Sequence, residues 1–235
     1  MIHAILASTS TLHNQDYLEY LIPHLPRLYK NVSEVLFIPY ARPGGISHAE
    51  YTAKAAAAFS KAGINIKGIN EFDDPEKAVR EAEGIFTGGG NTFLLVSELY
   101  RNKVMNVIKE VVKAGTPYMG TSAGTNIGGL SMQTTNDMPI VYPPSFQTLG
   151  LVPFNINPHY LDPNPNSEHK GETRETRIKE FHSLNSQPVI GLREGSWLEI
   201  GDNKVTLKGT LKARLFKKDQ VPFEVETGTD LTDLN

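Results

Sequence analysis

The chain has 235 residues, 39% of them hydrophobic and 21% charged, and a net charge of −3 with basic and acidic residues interspersed. That composition supports a sizeable core and excludes wholesale disorder, the basic stripe of a nucleic-acid binder and the polybasic face of a membrane-surface helix. Cysteine is absent, which removes disulfides, a cysteine nucleophile and thiolate-bound zinc together and points to the cytoplasm.

The opening MIHAILASTS has neither the basic flank nor the apolar length of a secretory signal, and no later apolar run approaches the roughly 18 residues that cross a bilayer. In chain order, IHAIL (2–6), EVLFIPY (34–40), INIKGI (64–69), GIFTGG (84–89) and TPYMG (116–120) read as strands. Between them, residues 15–30, 47–63, 75–83 and 91–115 carry helical spacing. Gly63 and Gly115 stand where helices end, and Asp74 with Pro75 reads as an N-cap and first turn. This alternation predicts an α/β fold, a mostly parallel sheet with helices on both faces. Ligands of such sheets bind outside the carboxyl ends of the strands, where GGGNT (88–92) and Ser122 both fall.

The second half is less regular. LGLVPFNINPHY (149–160) reads as a strand entering a Pro- and Asn-rich loop, and KGETRETRIKEFHSLN (170–185) as a charged amphipathic helix. Residues 188–209 read as strands joined by tight turns, with GDN (201–203) a hairpin turn, and the polar TGTDLTDLN at the end is expected to fray. No linker or repeat separates independent cores, so residues 1–235 are expected to form one domain.

The densest chemical signal is GTSAG (120–124), a G-x-S-x-G arrangement that presents Ser122 as a nucleophile or leaves it an ordinary loop serine. A serine needs a base, held in turn by a third group. Of seven histidines, His159 stands at the end of a strand-like run and is the preferred base, with His169 second. His3 and His24 read as packed or surface residues, and His13, His48 and His182 as solvated. Glu194, before Gly195, and Asp137 both qualify as the third group, or as turn acids. GGGNT permits an oxyanion hole from the N–H of Gly89 or Gly90 with that of Ala123; it also permits a phosphate cradle, though no nucleotide-binding pattern accompanies it. Arg174 and Arg177 stand one helical turn apart and could clamp a carboxylate or simply line a solvated face. No metal-ligand spacing occurs.

Six blocks carry a further signal: GGGNTF, GTSAGTN, TTNDMPIV, INPH, HKGETRE and GLREGSW. Together and in this order they resemble the peptidase E family of bacterial α-aspartyl dipeptidases, from about the first strand to the strands after residue 200. The resemblance implies a three-layer αβα fold related to the class I glutamine-amidotransferase architecture. It implies Ser122 as nucleophile, His159 as base, Glu194 as the orienting acid, and Gly90 and Ala123 as oxyanion donors. Asp137 matches a residue needed for activity, and Arg174 one that binds the substrate's aspartyl side chain. The implied partner is a small peptide, with no cofactor, metal, nucleic acid or membrane, and the implied assembly is a monomer or homodimer. Thr121 stands where the family often has a bulky aromatic, and Arg193 where it often has proline. Two rivals stay open: a cyanophycinase-like hydrolase of β-linked Asp-Arg, and a non-catalytic anion-binding module.

Overall fold

Short strands whose successive side chains point to opposite faces build two core layers from one sheet. The computed structural model describes residues 1–163 and 171–234. Its first half runs β1 Ala4–Ala7, α1 Leu25–Leu28, β2 Glu34–Ile38, α2 His48–Phe59, β3 Asn65–Gly68, α3 Pro75–Arg80, β4 Ile85–Thr87, α4 Thr92–Arg101, α5 Met105–Ala114 and β5 Tyr118–Thr121. Its second half runs α6 Ala123–Asn126, β6 Asn155–Pro158, α7 Arg174–Leu184, β7 Val189–Leu192, β8 Ser196–Gly201, β9 Lys204–Gly209, β10 Ala213–Phe216 and β11 Phe223–Val225.

Among the described residues the strands form a seven-stranded sheet, β3-β2-β4-β5-β1-β8-β9, and a four-stranded sheet, β11-β10-β7-β6. The first five strands of the larger sheet run parallel; β8 is antiparallel to β1, and β9 is antiparallel to β8. Leu6, Leu36, Ile38, Ile85 and Tyr118 pack in one cluster with Val79, Leu95, Val96 and Ile108 from α3, α4 and α5. Ile5, Val35, Phe37, Phe86 and Met119, one residue out of phase, pack with Tyr51, Ala55 and Phe59 of α2. Fully burying such side chains contributes about 1.5–3 kcal/mol each. The result is the expected mostly parallel α/β architecture with helices on both faces.

The smaller sheet is also two-faced. Ile190 and Leu192 join the first cluster, whereas Val189 and Phe216 meet Ile178 of α7 and Tyr160. Caps fall where the sequence places them: Asp74 accepts from the Lys77 N–H, and Gly63 and Gly115 end their helices at φ 73° and 126°. In the hairpin turn, Asp202 and Asn203 have φ 51° and 58°, the signature of a type I′ turn.

Several local expectations are corrected. Residues 15–30 are not a helix but a 3-10 turn, Ile22–His24, followed by the four-residue α1. Pro23 and Pro26 remove two of the N–H donors that a continuous helix would need. Residues 91–115 divide into two helices at Asn102–Val104, where Lys103 has φ 58° and Asn102 Nδ2 donates to the Glu98 carbonyl. The C-terminal segment does not fray: Leu231 is buried, its N–H donates to Val205 O at 2.7 Å, and Thr229 O accepts from Leu207 N. His182 is buried rather than solvated, with Nε2 bonded to the Gln187 carbonyl at 3.0 Å. No helix among the described residues is long and apolar enough to cross a membrane.

Arg193, just beyond β7, fastens the smaller sheet. Its guanidinium donates to both carboxylate oxygens of Asp162 (2.8 and 2.6 Å), to both of Glu224 (2.8 and 3.0 Å) and to Lys212 O (2.7 Å). Its hydrogen bonds hold the Asp162 and Glu224 carboxyls below their ordinary values of 3.8 and 4.5 and raise its own. Carboxyls depressed in this way add stability that is present above those ordinary values and is lost as pH falls through the depressed folded ones. Arg193→Met should cost about 2 kcal/mol near neutrality. Urea unfolding from pH 7 down to 3.5 should show the gap between wild type and variant closing below about pH 4; a gap independent of pH would remove this account of Arg193.

Candidate active site

The larger sheet brings β5 and β4 side by side, so that Ser122 and the Gly88–Gly90 run leave the same edge. Ser122 stands between β5 and α6 at φ 54°, ψ −109°. A non-glycine residue at positive φ costs of order 1–3 kcal/mol and persists only when its neighbours over-determine it. Here the Ser122 N–H donates to the Ala7 carbonyl (3.1 Å), and its own carbonyl accepts from Thr125 N and Asn126 N (3.0 and 2.9 Å). The Thr125 hydroxyl bridges the carbonyls of Ala7 and Gly120 at 2.6 and 2.8 Å. The turn is so tight that a Cβ on Gly120 would press into the Gly124 carbonyl oxygen, and one on Gly124 into that of Thr87. The spacing GTSAG is thus a backbone requirement.

His159 follows β6, also at positive φ, 53°. Its Nε2 lies 2.9 Å from Ser122 Oγ and its Nδ1 lies 2.6 Å from Glu194 Oε1. A carboxylate only accepts, so the proton between them belongs to Nδ1, which leaves Nε2 to accept from the serine hydroxyl. Glu194 leaves β7 through a turn at Gly195, φ 89°, and is half exposed. The row Glu194–His159–Ser122 can take a proton from Oγ while the carboxylate stabilises the imidazolium.

The oxyanion candidates flank the serine. A Cβ on Gly89 would come 2.9 Å from Ser122 Cβ, which places the glycine loop directly against the serine, and Gly90 follows at φ 148°. The Ala123 N–H opens the first turn of α6, where no intrahelical partner exists.

A cavity of about 220 Å³ is lined by Ser122, Ala123, Asp137, His159 and Arg174, among others. Asp137 Oδ2 accepts from Thr92 N (2.7 Å), Thr92 Oγ1 (2.6 Å) and Thr135 Oγ1 (3.0 Å). Oδ1 has no partner among the described residues. Arg174 opens α7; burial, then Arg177, lowers its guanidinium from the ordinary arginine value, and the Asp137 carboxylate opposes that. Among the described residues no carboxylate forms a salt bridge with Arg174, whereas Arg177 pairs with Glu172 at 3.8 Å. Of the two arginines, one faces the cavity and the other a solvated flank. No hydrogen bond or ion pair joins Asp137 to His159 or Glu194, although Asp137 and His159 line the same cavity. His169 lies outside the described residues.

Two departures from the resemblance resolve differently. Thr121 is fully buried in β5, opposite Ala7 of β1. The Arg193 guanidinium turns to Asp162 and Glu224 and away from the serine. Sequence reading missed Thr92 and Thr135 as partners of Asp137; the only available signal was their place inside GGGNT and TTND. Among the described residues no cluster of histidine and carboxylate side chains could hold a metal ion.

The profile of peptidase family S51 matches residues 4–208. The chain is 48% identical to peptidase E of Streptomyces coelicolor over 99% of its own length and 95% of that protein. It is also 48% identical to a Drosophila melanogaster protein named "Probable alpha-aspartyl dipeptidase", over 98% of this chain and 96% of that one. The crystal structure of a peptidase from an acI-B1 Actinobacterium superposes with a TM-score of 0.71 over 98% of this chain and 96% of that one; at 17% identity this likeness concerns the fold.

Gly124→Ala tests the turn. The added methyl must displace the Thr87 backbone, and the variant should lose about 3 kcal/mol in urea unfolding. An unchanged midpoint would mean that β4 and α6 part without cost.

Proposed function

The chain belongs to peptidase family S51, and from that premise we propose that it is a serine dipeptidase that releases an N-terminal aspartate from Asp-Xaa. One observation carries the reading: a hydrogen-bonded Ser–His–Glu row opens on a cavity that also holds one carboxylate with a free oxygen and one guanidinium without a salt bridge among the described residues. A zwitterionic dipeptide with an aspartyl side chain supplies the complement of both. Its ammonium binds Asp137 Oδ1, and its β-carboxylate binds Arg174. Thr92 and Thr135 saturate Oδ2 and so aim the other oxygen at the substrate.

The reaction then needs only groups of the chain. His159 Nε2 takes the Ser122 proton as Oγ adds to the scissile carbonyl, and the oxyanion that forms is held by the N–H groups of Gly90 and Ala123. The intermediate collapses, the C–N bond breaks, and the imidazolium protonates the departing amine. Water, deprotonated by His159, hydrolyses the aspartyl ester and returns the proton to Oγ. Because the nucleophile comes from the larger sheet and the base and acid from the smaller one, we read residues 1–235 as one peptidase domain, working in the cytoplasm on small peptides.

Hydrolysis of Asp-Leu, Glu-Leu, Asn-Leu and N-acetyl-Asp-Leu by wild type, in chelator, should be confined to Asp-Leu. Ser122→Ala should lower the rate at least about 10⁴-fold. Arg174→Ala should lower kcat/KM for Asp-Leu about 10²–10³-fold and narrow its margin over Asn-Leu. Cleavage of the acetylated peptide would overturn the role of Asp137, and cleavage of β-Asp-Arg in place of Asp-Leu would overturn the substrate.

A further inference from the structure

Ser8 directly follows β1, is fully buried, and lies far in sequence from every residue of the row. Its hydroxyl accepts from the His159 N–H at 2.8 Å and donates to the Leu192 carbonyl at 2.6 Å. Its own N–H donates to Ser196 O at 3.1 Å. These contacts fall on either side of the row: one on the backbone of His159, the others on residues two before and two after Glu194. Both hydroxyl bonds join the larger sheet to the carboxyl ends of β6 and β7. The preceding residue, Ala7, receives the Ser122 N–H and the Thr125 hydroxyl. Two adjacent residues at the carboxyl end of β1, its last residue and the one that follows, therefore grip the backbone of serine and histidine alike.

We propose that Ser8 is a positioning residue for the reaction, which sets the His159 backbone and with it the imidazole; the inference rests on the reading of His159 as base. His159 has φ 53°, unfavourable for a residue with a Cβ. Its N–H points at the Ser8 hydroxyl, which holds it there by a buried bond. The Leu192 carbonyl accepts both from Ser8 and from Tyr160 N at 3.1 Å, so the bridge also anchors the residue that follows His159. Without the hydroxyl, the His159 N–H becomes a buried orphan in a strained conformation. The backbone then relaxes toward negative φ and carries Nε2 away from its 2.9 Å contact with Ser122. A misplacement on the order of 1 Å costs about 10²-fold in rate.

The test is Ser8→Ala beside two references. His159→Ala reports whether His159 is needed at all, and Thr148→Val removes another buried hydroxyl-to-carbonyl bond, Thr148 Oγ1 to Gly129 O at 2.7 Å, remote from the row. For Asp-Leu, Ser8→Ala is expected to lower kcat about 10–10²-fold with KM within about twofold. It should also shift or abolish the downfield proton resonance of His159 Nδ1–H, whereas Thr148→Val should change neither. Ser8→Cys, whose thiol is a poorer donor and acceptor, is expected to fall between wild type and alanine, and it carries the test should the alanine variant not fold. An unchanged kcat and resonance in folded Ser8 variants, with His159→Ala inactive, would overturn the role of Ser8 alone. Full activity in His159→Ala would overturn the underlying reading instead.

Discussion

The carboxyl end of β1 is the place on which the site depends. Ala7 offers its carbonyl to Ser122 and Thr125, and Ser8 offers its hydroxyl to His159. Both Ser122 and His159 sit at positive φ, a cost of order 1–3 kcal/mol each that bonds of about 1 kcal/mol net can hold only collectively. Burial makes the arrangement stiff as well as stable, since every polar group there would be orphaned by a shift. Ser122 Oγ and His159 Nε2 approach within 2.9 Å, with the adjacent residues Ala7 and Ser8 holding both backbones.

Charge in the neighbouring cavity is arranged on the opposite principle. Around Arg193 the ions are paired with one another and lock two chain segments to the smaller sheet. Around Asp137 and Arg174, among the described residues, no such pairing forms. Asp137 spends one oxygen on two threonines, which fixes its direction, and keeps the other. Arg174 is drawn partly out of water with no carboxylate bonded to it among the described residues. Leaving a partly buried charge unpaired costs free energy that pairing would recover.

The errors of sequence reading lie in particular segments and have separate causes. Residues 15–30 have helical hydrophobic spacing, but Pro23 and Pro26 interrupt the donors, and spacing alone does not register a missing N–H. Residues 91–115 have helical spacing throughout; the break at Lys103 lets Ile108 and Val112 of α5 bury in the same cluster as Leu95 and Leu99 of α4, a demand of packing rather than of local preference. The polar C-terminal segment is held by Leu231 and by backbone bonds to β9, a docking site invisible to composition. His182 reads as a solvated residue until the chain before β7 folds back on it, burying it with Nε2 bonded to the Gln187 carbonyl.

What the sequence determined by itself was whatever depends on near neighbours. Alternating apolar residues set the strands, Asp74 and Gly63 set helix ends, and GTSAG with GGGNT set two turns whose backbones admit few other residues. It also kept His159 and Glu194 as candidates, since each ends a strand. Only the tertiary structure decided which candidates meet. It joined Ser122, His159 and Glu194 from two sheets, parted Arg174 from Arg177, took Asp137 out of the row, and brought Ser8 beneath it. The reason is physical: local preference acts over a few residues, whereas contacts between residues 37 and 151 apart exist only once packed cores have fixed the register of whole strands.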